Sequence, residues 1–204
     1  MKQLQFFAAI IFLAFSLLTS CKMPGVEAGQ ELVLVQKPFI FGSGGIVQEP
    51  IKSGRPFLAL STEYVKYNMK PVKYTEKFDD VITFDNNPVD FAAYIQIQIK
   101  EGKSPELHSK YGEKWYINNI EEQFRASIRN KCGKFKMFTL STDRQIVDSL
   151  EDVIHKEMED YAQSIQIPID IKQVIIGQVT PPGAVLLETE KTAAEIQKVK
   201  TQDA

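Results

Sequence analysis

The chain is poor in the residues most used for chemistry near neutral pH: its 204 residues include two cysteines, Cys21 and Cys132, two histidines, His108 and His155, and one tryptophan. Two cysteines cannot form the dense disulfide framework of a small secreted domain. Neither histidine has a cysteine neighbour or a second histidine at a metal-binding interval, so a zinc site would have to be assembled from distant parts of the chain. No excess of one charge exists either. Lys plus Arg number 24 against 26 Asp plus Glu, a formal charge of −2. That balance supplies no net positive field to hold a phosphate backbone, which excludes nucleic acid as a partner held by bulk charge. No internal repeat or low-complexity segment is visible, and no cofactor motif stands out.

The remaining catalytic candidates have ordinary explanations. His108 lies in "SPELHSKYG", a loop or helix start, near Glu106, and His155 lies in the charged run "EDVIHKEMED", where a solvated or helix-pairing role is expected. The adjacent carboxylates Asp79 with Asp80, and Glu121 with Glu122, read as surface charge, because neighbours in a strand point to opposite faces while a glycosidase needs two carboxylates across a cleft. Gly42, Gly44 and Gly45 lack a following Lys-Ser or Lys-Thr, and Val47 stands where a dinucleotide fingerprint needs its third glycine, so they read as turn glycines. Arg125, Arg129, Lys131, Lys134 and Lys136, with Phe135 and Phe138 among them, could touch phosphates or lipid headgroups. The favoured reading is a helix C-terminus with favourable cations. Cys132 reads as a small apolar residue near that helix end.

The N-terminus is more specific. One cation, Lys2, precedes an apolar run from Phe6 to Leu18 broken only by Ser16. This is the order of a secretory signal, and the run is short of the roughly 20 apolar residues that span a bilayer. "LTSC" follows directly, with small residues before Cys21. It resembles the lipobox of bacterial lipoproteins, which implies cleavage between Ser20 and Cys21 and an S-diacylglycerol, N-acylated (palmitate-type) cysteine at position 21. Sulfur suits this transfer because a thiolate is a far better nucleophile than a hydroxyl near neutral pH. Removal of residues 1–20 takes Lys2 and moves the formal charge from −2 to −3. The alternative is a free or disulfide-bonded thiol with Cys132 as its only possible partner.

Beyond a polar tether the pattern is α+β, with one compact core expected. "ELVLVQKP" reads as a strand ended by Pro38, and the Gly- and Pro-rich stretch after it as a long connector. From Leu58 to Ile99 the period is mostly two. In "VDFAAYIQIQI", Phe91, Ala93, Ile95, Ile97 and Ile99 alternate with polar residues, as in an antiparallel sheet with one packed face. "GEKWYINNIEEQFRASIRNKC" predicts an amphipathic helix using Trp115, Ile117 or Ile120, Phe124 and Ile128, and ending near Gly133. "TDRQ" at 142–145 fits a capping box opening a second helix with Ile146, Leu150, Val153 or Ile154, Met158, Tyr161 and Ile165 on its stripe. "IPIDIKQVIIGQV" returns to strand, and the tail from "AVLLETEK" onward favours a last helix.

The phrases "VLVQKPFIFGSGGI", "YTEKFDDVITFDNNPVDFAAYIQIQI" and "WYINNIEEQFRASIRN", followed in order by the second helix, last strand and tail, resemble the SPFH or band 7 family of prohibitins, stomatins and flotillins. The resemblance implies an antiparallel, strongly bent sheet with two packed helices and a C-terminal helix. It also implies a prohibitin-like scaffold without a shared catalytic motif, so not an enzyme. The expected organisation is a lipoprotein signal peptide at 1–20, a lipidated tether at 21–30, the SPFH-like domain at 31–180 and a short helix at 181–204. That helix reads as the truncated start of a coiled coil, about five turns long. Expected partners are membrane lipid through the Cys21 acyl chains, further copies of the chain in a homo-oligomer, and a membrane protease or other membrane protein. The expected place is the bacterial cell envelope, with Lys22 favouring an outer membrane facing the periplasm. Two rival readings remain: a lipid-anchored binding protein for one protein or ligand without self-assembly, and a hydrolase built around His108 and Glu106.

Overall fold

The alternating run that dominates the sequence forms the longest strand of the computed structural model, which describes residues 23–38 and 43–180. Strand β5 (Pro88–Ile99) buries Val89, Phe91, Ala93, Ile95, Ile97 and Ile99, and each intervening residue is only partly covered. The other strands are β1 (Gln30–Gln36), β2 (Gly45–Ile46), β3 (Thr62–Asn68), β4 (Val72–Ile82) and β6 (Ile169–Ile176). The helices are α1 (Ser104–Tyr111), α2 (Trp115–Asn119), α3 (Glu121–Cys132), α4 (Met137–Thr142) and α5 (Arg144–Ser164). The α+β class and the antiparallel pairing are as the sequence predicts.

The strands form two three-stranded sheets, ordered β2-β1-β3 and β4-β5-β6, where one strongly bent sheet is expected. The division falls between Asn68 and Val72. Pro71 lacks the N–H that a ladder needs, and beyond it the chain pairs with β5 rather than continuing against β1. The described residues likewise cluster as two compact units where one core is expected: residues up to Lys70 with Ile99–Glu113, and Pro71–Gln98 with the residues from Lys114 onward.

In the first unit, β1 pairs with β3 along its whole length, Gln30 opposite Asn68 through Gln36 opposite Thr62. Leu32 and Val33 are fully buried, as is Leu107 of α1. Helix α1 has no side-chain cap of its own. Its entry is held by Glu31 of β1, whose buried carboxylate accepts hydrogen bonds from the Gly102 N–H (2.7 Å) and the Ser104 hydroxyl (2.6 Å). A carboxylate here also complements the positive end of the helix.

In the second unit, β4 pairs with β5 and β6 flanks β5 on its other side, with Asp90 bridging antiparallel to Thr180. A bulge interrupts β4 between Phe78 and Val81, with Asp80 in the left-handed region. Asp79 and Asp80 therefore do not follow the strict strand alternation assumed from sequence, though both lie exposed as expected. Gly177 lies so close to β5 that a Cβ there would stand 2.7 Å from the Ala92 carbonyl oxygen.

The predicted first helix is two segments with a break at Ile120. That break puts Ile120, at 0% exposure, in the core and leaves Ile117 60% exposed. Helix α5 begins one residue later than the capping box implies. Asp143, not Thr142, is its cap, accepting from the Gln145 and Ile146 N–H groups. The Thr142 hydroxyl instead donates to the Phe138 carbonyl inside α4, a helix the periodicity does not reveal. The buried stripe of α5 is Val147, Leu150, Ile154, Met158 and Ala162, so Val147 and Ala162 take the places predicted for Ile146 and Tyr161, and Val153 faces outward. The predicted tail helix at 181–204 lies outside the described residues.

Candidate functional site

Ser20 and Cys21, the predicted cleavage and lipidation residues, lie outside the described residues. The histidines, Glu106 and Cys132 each have surroundings of their own within their unit. His108 Nδ1 lies 2.8 Å from the Tyr67 hydroxyl, a half-buried pair between α1 and β3, while Glu106 is engaged by Lys103 and Lys110. Both lysines hold the Glu106 carboxyl below its ordinary range, Lys110 most strongly. Burial pushes the Tyr67 phenol up to about 12. His155 Nε2 sits 3.0 Å from the Ile171 carbonyl oxygen of β6, a helix-to-strand contact, and 3.8 Å from Glu159 Oε1 one turn along α5, the helix-pairing role expected of it. Cys132 is fully buried, and burial raises its thiol to about 12. A thiol so far from ionisation is a packing group. Among the described residues, no three metal-binding side chains cluster, and no helix is long and apolar enough to cross a membrane.

The basic cluster separates by burial. Arg125 reaches back to β4, where Nη1 lies 2.8 Å from Glu76 Oε2, and the Tyr116 hydroxyl donates to Glu76 Oε1 at 3.1 Å. Burial first, then the Glu76 charge, pushes the Tyr116 phenol far above its ordinary value. Lys131 pairs with Glu157 of α5 at 2.9 Å. These two cations tie α3 to its neighbours. Arg129, Lys134 and Lys136 are exposed and form no ion pair with any described residue.

Lys134 and Lys136 stand on a corner built from two turns. The Phe84 N–H donates to the Phe135 carbonyl (2.9 Å), and the Met137 N–H donates to an Asp85 oxygen (3.1 Å). Gly133 permits the approach, because a Cβ there would meet the Arg129 and Ile82 carbonyl oxygens at 3.1 and 3.4 Å. Asp85 also accepts from the Thr83 hydroxyl and the Asn87 amide. These bonds, that of Thr83 foremost, hold its carboxyl at about 2. The corner exposes three large apolar side chains: Ile82 (54%), Phe84 (67%) and Phe138 (73%).

Beside it, a groove of about 340 Å³ runs between α3 and α5, lined by Lys131, Lys134, Phe135, Ile146, Leu150 and Val153. An apolar floor with cations at the rim suits an amphiphile or an amphipathic segment rather than a reaction needing convergent acids and bases. Sequence reasoning names Lys134, Lys136, Phe135 and Phe138 but misses Ile82 and Phe84. The signal was an aromatic beside the turn cluster "DNNP", where a purely solvated turn has no use for one.

A sequence model of the family described as SPFH domain / Band 7 matches residues 25–204. None of the curated proteins compared with the chain matches it.

Proposed function

Because the chain belongs to the SPFH domain / Band 7 family, we propose that it is a membrane-anchored, non-enzymatic scaffold lipoprotein that self-associates and organises membrane proteins or lipids. The family is membrane-associated and generally scaffold-like. The observation that carries the finer reading is position: the lipobox cysteine follows a signal core and precedes the family match by only a few residues. Acyl chains on Cys21 supply the membrane attachment, and two or more of them suffice for stable anchoring. The cell envelope follows from that processing, and Lys22 after the lipidated cysteine favours the outer membrane, by analogy with enterobacterial sorting.

Intact-mass measurement tests the anchor. Cys21→Ala is expected to leave the precursor uncleaved and to strip the diacylglyceryl mass; an unchanged mature mass refutes lipidation. Sizing across concentration in mild detergent tests the scaffold, and a monomer throughout refutes it. The groove beside Lys134 supports a second reading, a lipid-anchored binding protein for one partner. A single crosslinked partner without self-association would favour that alternative.

A further inference from the structure

We infer that the corner formed by residues 82–85 and 133–138 is a second membrane contact, docking on an anionic lipid surface through Lys134 and Lys136 with Phe84 and Phe138 seated at the headgroup level. The inference goes beyond the scaffold reading and does not depend on Cys21.

Three observations meet at this corner. Phe84 and Phe138 are among the most exposed large apolar residues described, and hydrogen-bonded backbone at Phe135 and Met137 brings the Phe84 turn against the start of α4, which carries Phe138. Aromatic side chains raised on a turn and a helix start and flanked by cations are suited to the interface, where rings enter the acyl boundary and ammonium groups remain among the phosphates. Lys134 and Lys136 have no ion-pair partner among the described residues, so their charge is available, whereas Arg125 and Lys131 are spent within the fold. Lastly, the one carboxylate built into the corner, Asp85, is engaged by Thr83, Asn87 and the Met137 N–H, leaving two cations against one internally bonded anion. The chain as a whole carries a formal charge of −2, so bulk charge does not hold it to an anionic bilayer and a local surplus of cations such as this corner's is what can. A protein partner in the groove would not require Phe84, which is not among the residues lining it.

The test reconstitutes the full-length protein into vesicles of phosphatidylcholine with and without phosphatidylglycerol, and follows amide hydrogen exchange at residues 82–87 and 133–140. Exchange is expected to slow at least about tenfold when phosphatidylglycerol is present, and the protection to fade at high salt. Each cation at an anionic surface contributes about fivefold, so Lys134→Gln with Lys136→Gln should lower the docked-to-free ratio by about 25-fold. Phe84→Ser with Phe138→Ser should abolish the protection with an unchanged urea midpoint, since both side chains already face solvent. Equal exchange in the two lipids overturns the proposal. So does protection that depends on protein concentration but not on lipid, which would make the corner an interface between copies. Monomeric behaviour in detergent would leave this readout untouched, so the scaffold reading and this one fail separately.

Discussion

Replacing Glu31 by alanine removes the side-chain acceptor that meets the start of α1 among the described residues. The carboxylate is 2% exposed and accepts from Gly102 at 2.7 Å and from the fully buried Ser104 hydroxyl at 2.6 Å. Hydrogen bonds to a charged group contribute roughly 1.5–3 kcal/mol each, and unsatisfied buried donors add their own cost, offset by relief of the buried charge. The expected loss is about 3 kcal/mol. Ser104→Ala leaves the Gly102 bond in place and should cost about 1–2 kcal/mol. Because the two side chains share one contact, the double variant should fall short of the sum by about 1 kcal/mol or more. Urea unfolding of the full chain reads the first quantity, as a midpoint lowered by about 1–3 M for ordinary slopes. Hydrogen exchange at Leu107 reports whether the loss is local to α1. A Glu31→Ala change below about 1 kcal/mol, or strict additivity, would refute the claim that β1 caps this helix.

Asp85 has a folded pKa of about 2, below its ordinary value of 3.8, so its stabilisation is complete above the unfolded value and is lost as pH falls from about 4 toward 2. The stability gap between wild type and Asp85→Asn should be constant above pH 5 and close over that range; a gap independent of pH contradicts the assignment. The Cys132 thiol should resist disulfide-exchange reagents at pH 8 in the folded Cys21→Ala chain and react on unfolding, and stoichiometric labelling of the native protein would show that it is not sealed. Gly177→Ala drives a Cβ to 2.7 Å from the Ala92 carbonyl, the same oxygen that accepts the Gly177 N–H. It should cost about 1–3 kcal/mol by calorimetry or urea unfolding, and a neutral result would mean that β5 and β6 separate there at little cost.

Local pattern alone was enough for the elements whose burial repeats. The period of β5 comes directly from its alternating isoleucines, and the stripe of α5 was legible to within one residue because a 21-residue helix gives the 3.6 period several turns in which to declare itself. Short helices offer no such repetition. Helix α4 went unread and α1 was read only as a loop or helix start, because their ends are satisfied from elsewhere in the chain, α1 by Glu31 and α4 by Asp85, 71 and 52 residues away from the N–H groups they meet. A capping rule that looks three residues ahead cannot find such a partner. The two-sheet pairing likewise depended on which strand each edge met after Pro71.

The candidate site divides along the same line. The role proposed for Cys21 rests on sequence alone, since a lipobox would be read in an extended segment and would need no fold to present it. The family too was written in the order of local phrases. Only tertiary structure decided among the five cations of the basic cluster. Packing spent Arg125 on Glu76 and Lys131 on Glu157, and the stapling of one turn to another left Lys134 and Lys136 beside Phe84 and Phe138. Charge and hydrophobicity are properties of residues, but whether either is available to a partner depends on what the chain has folded against it.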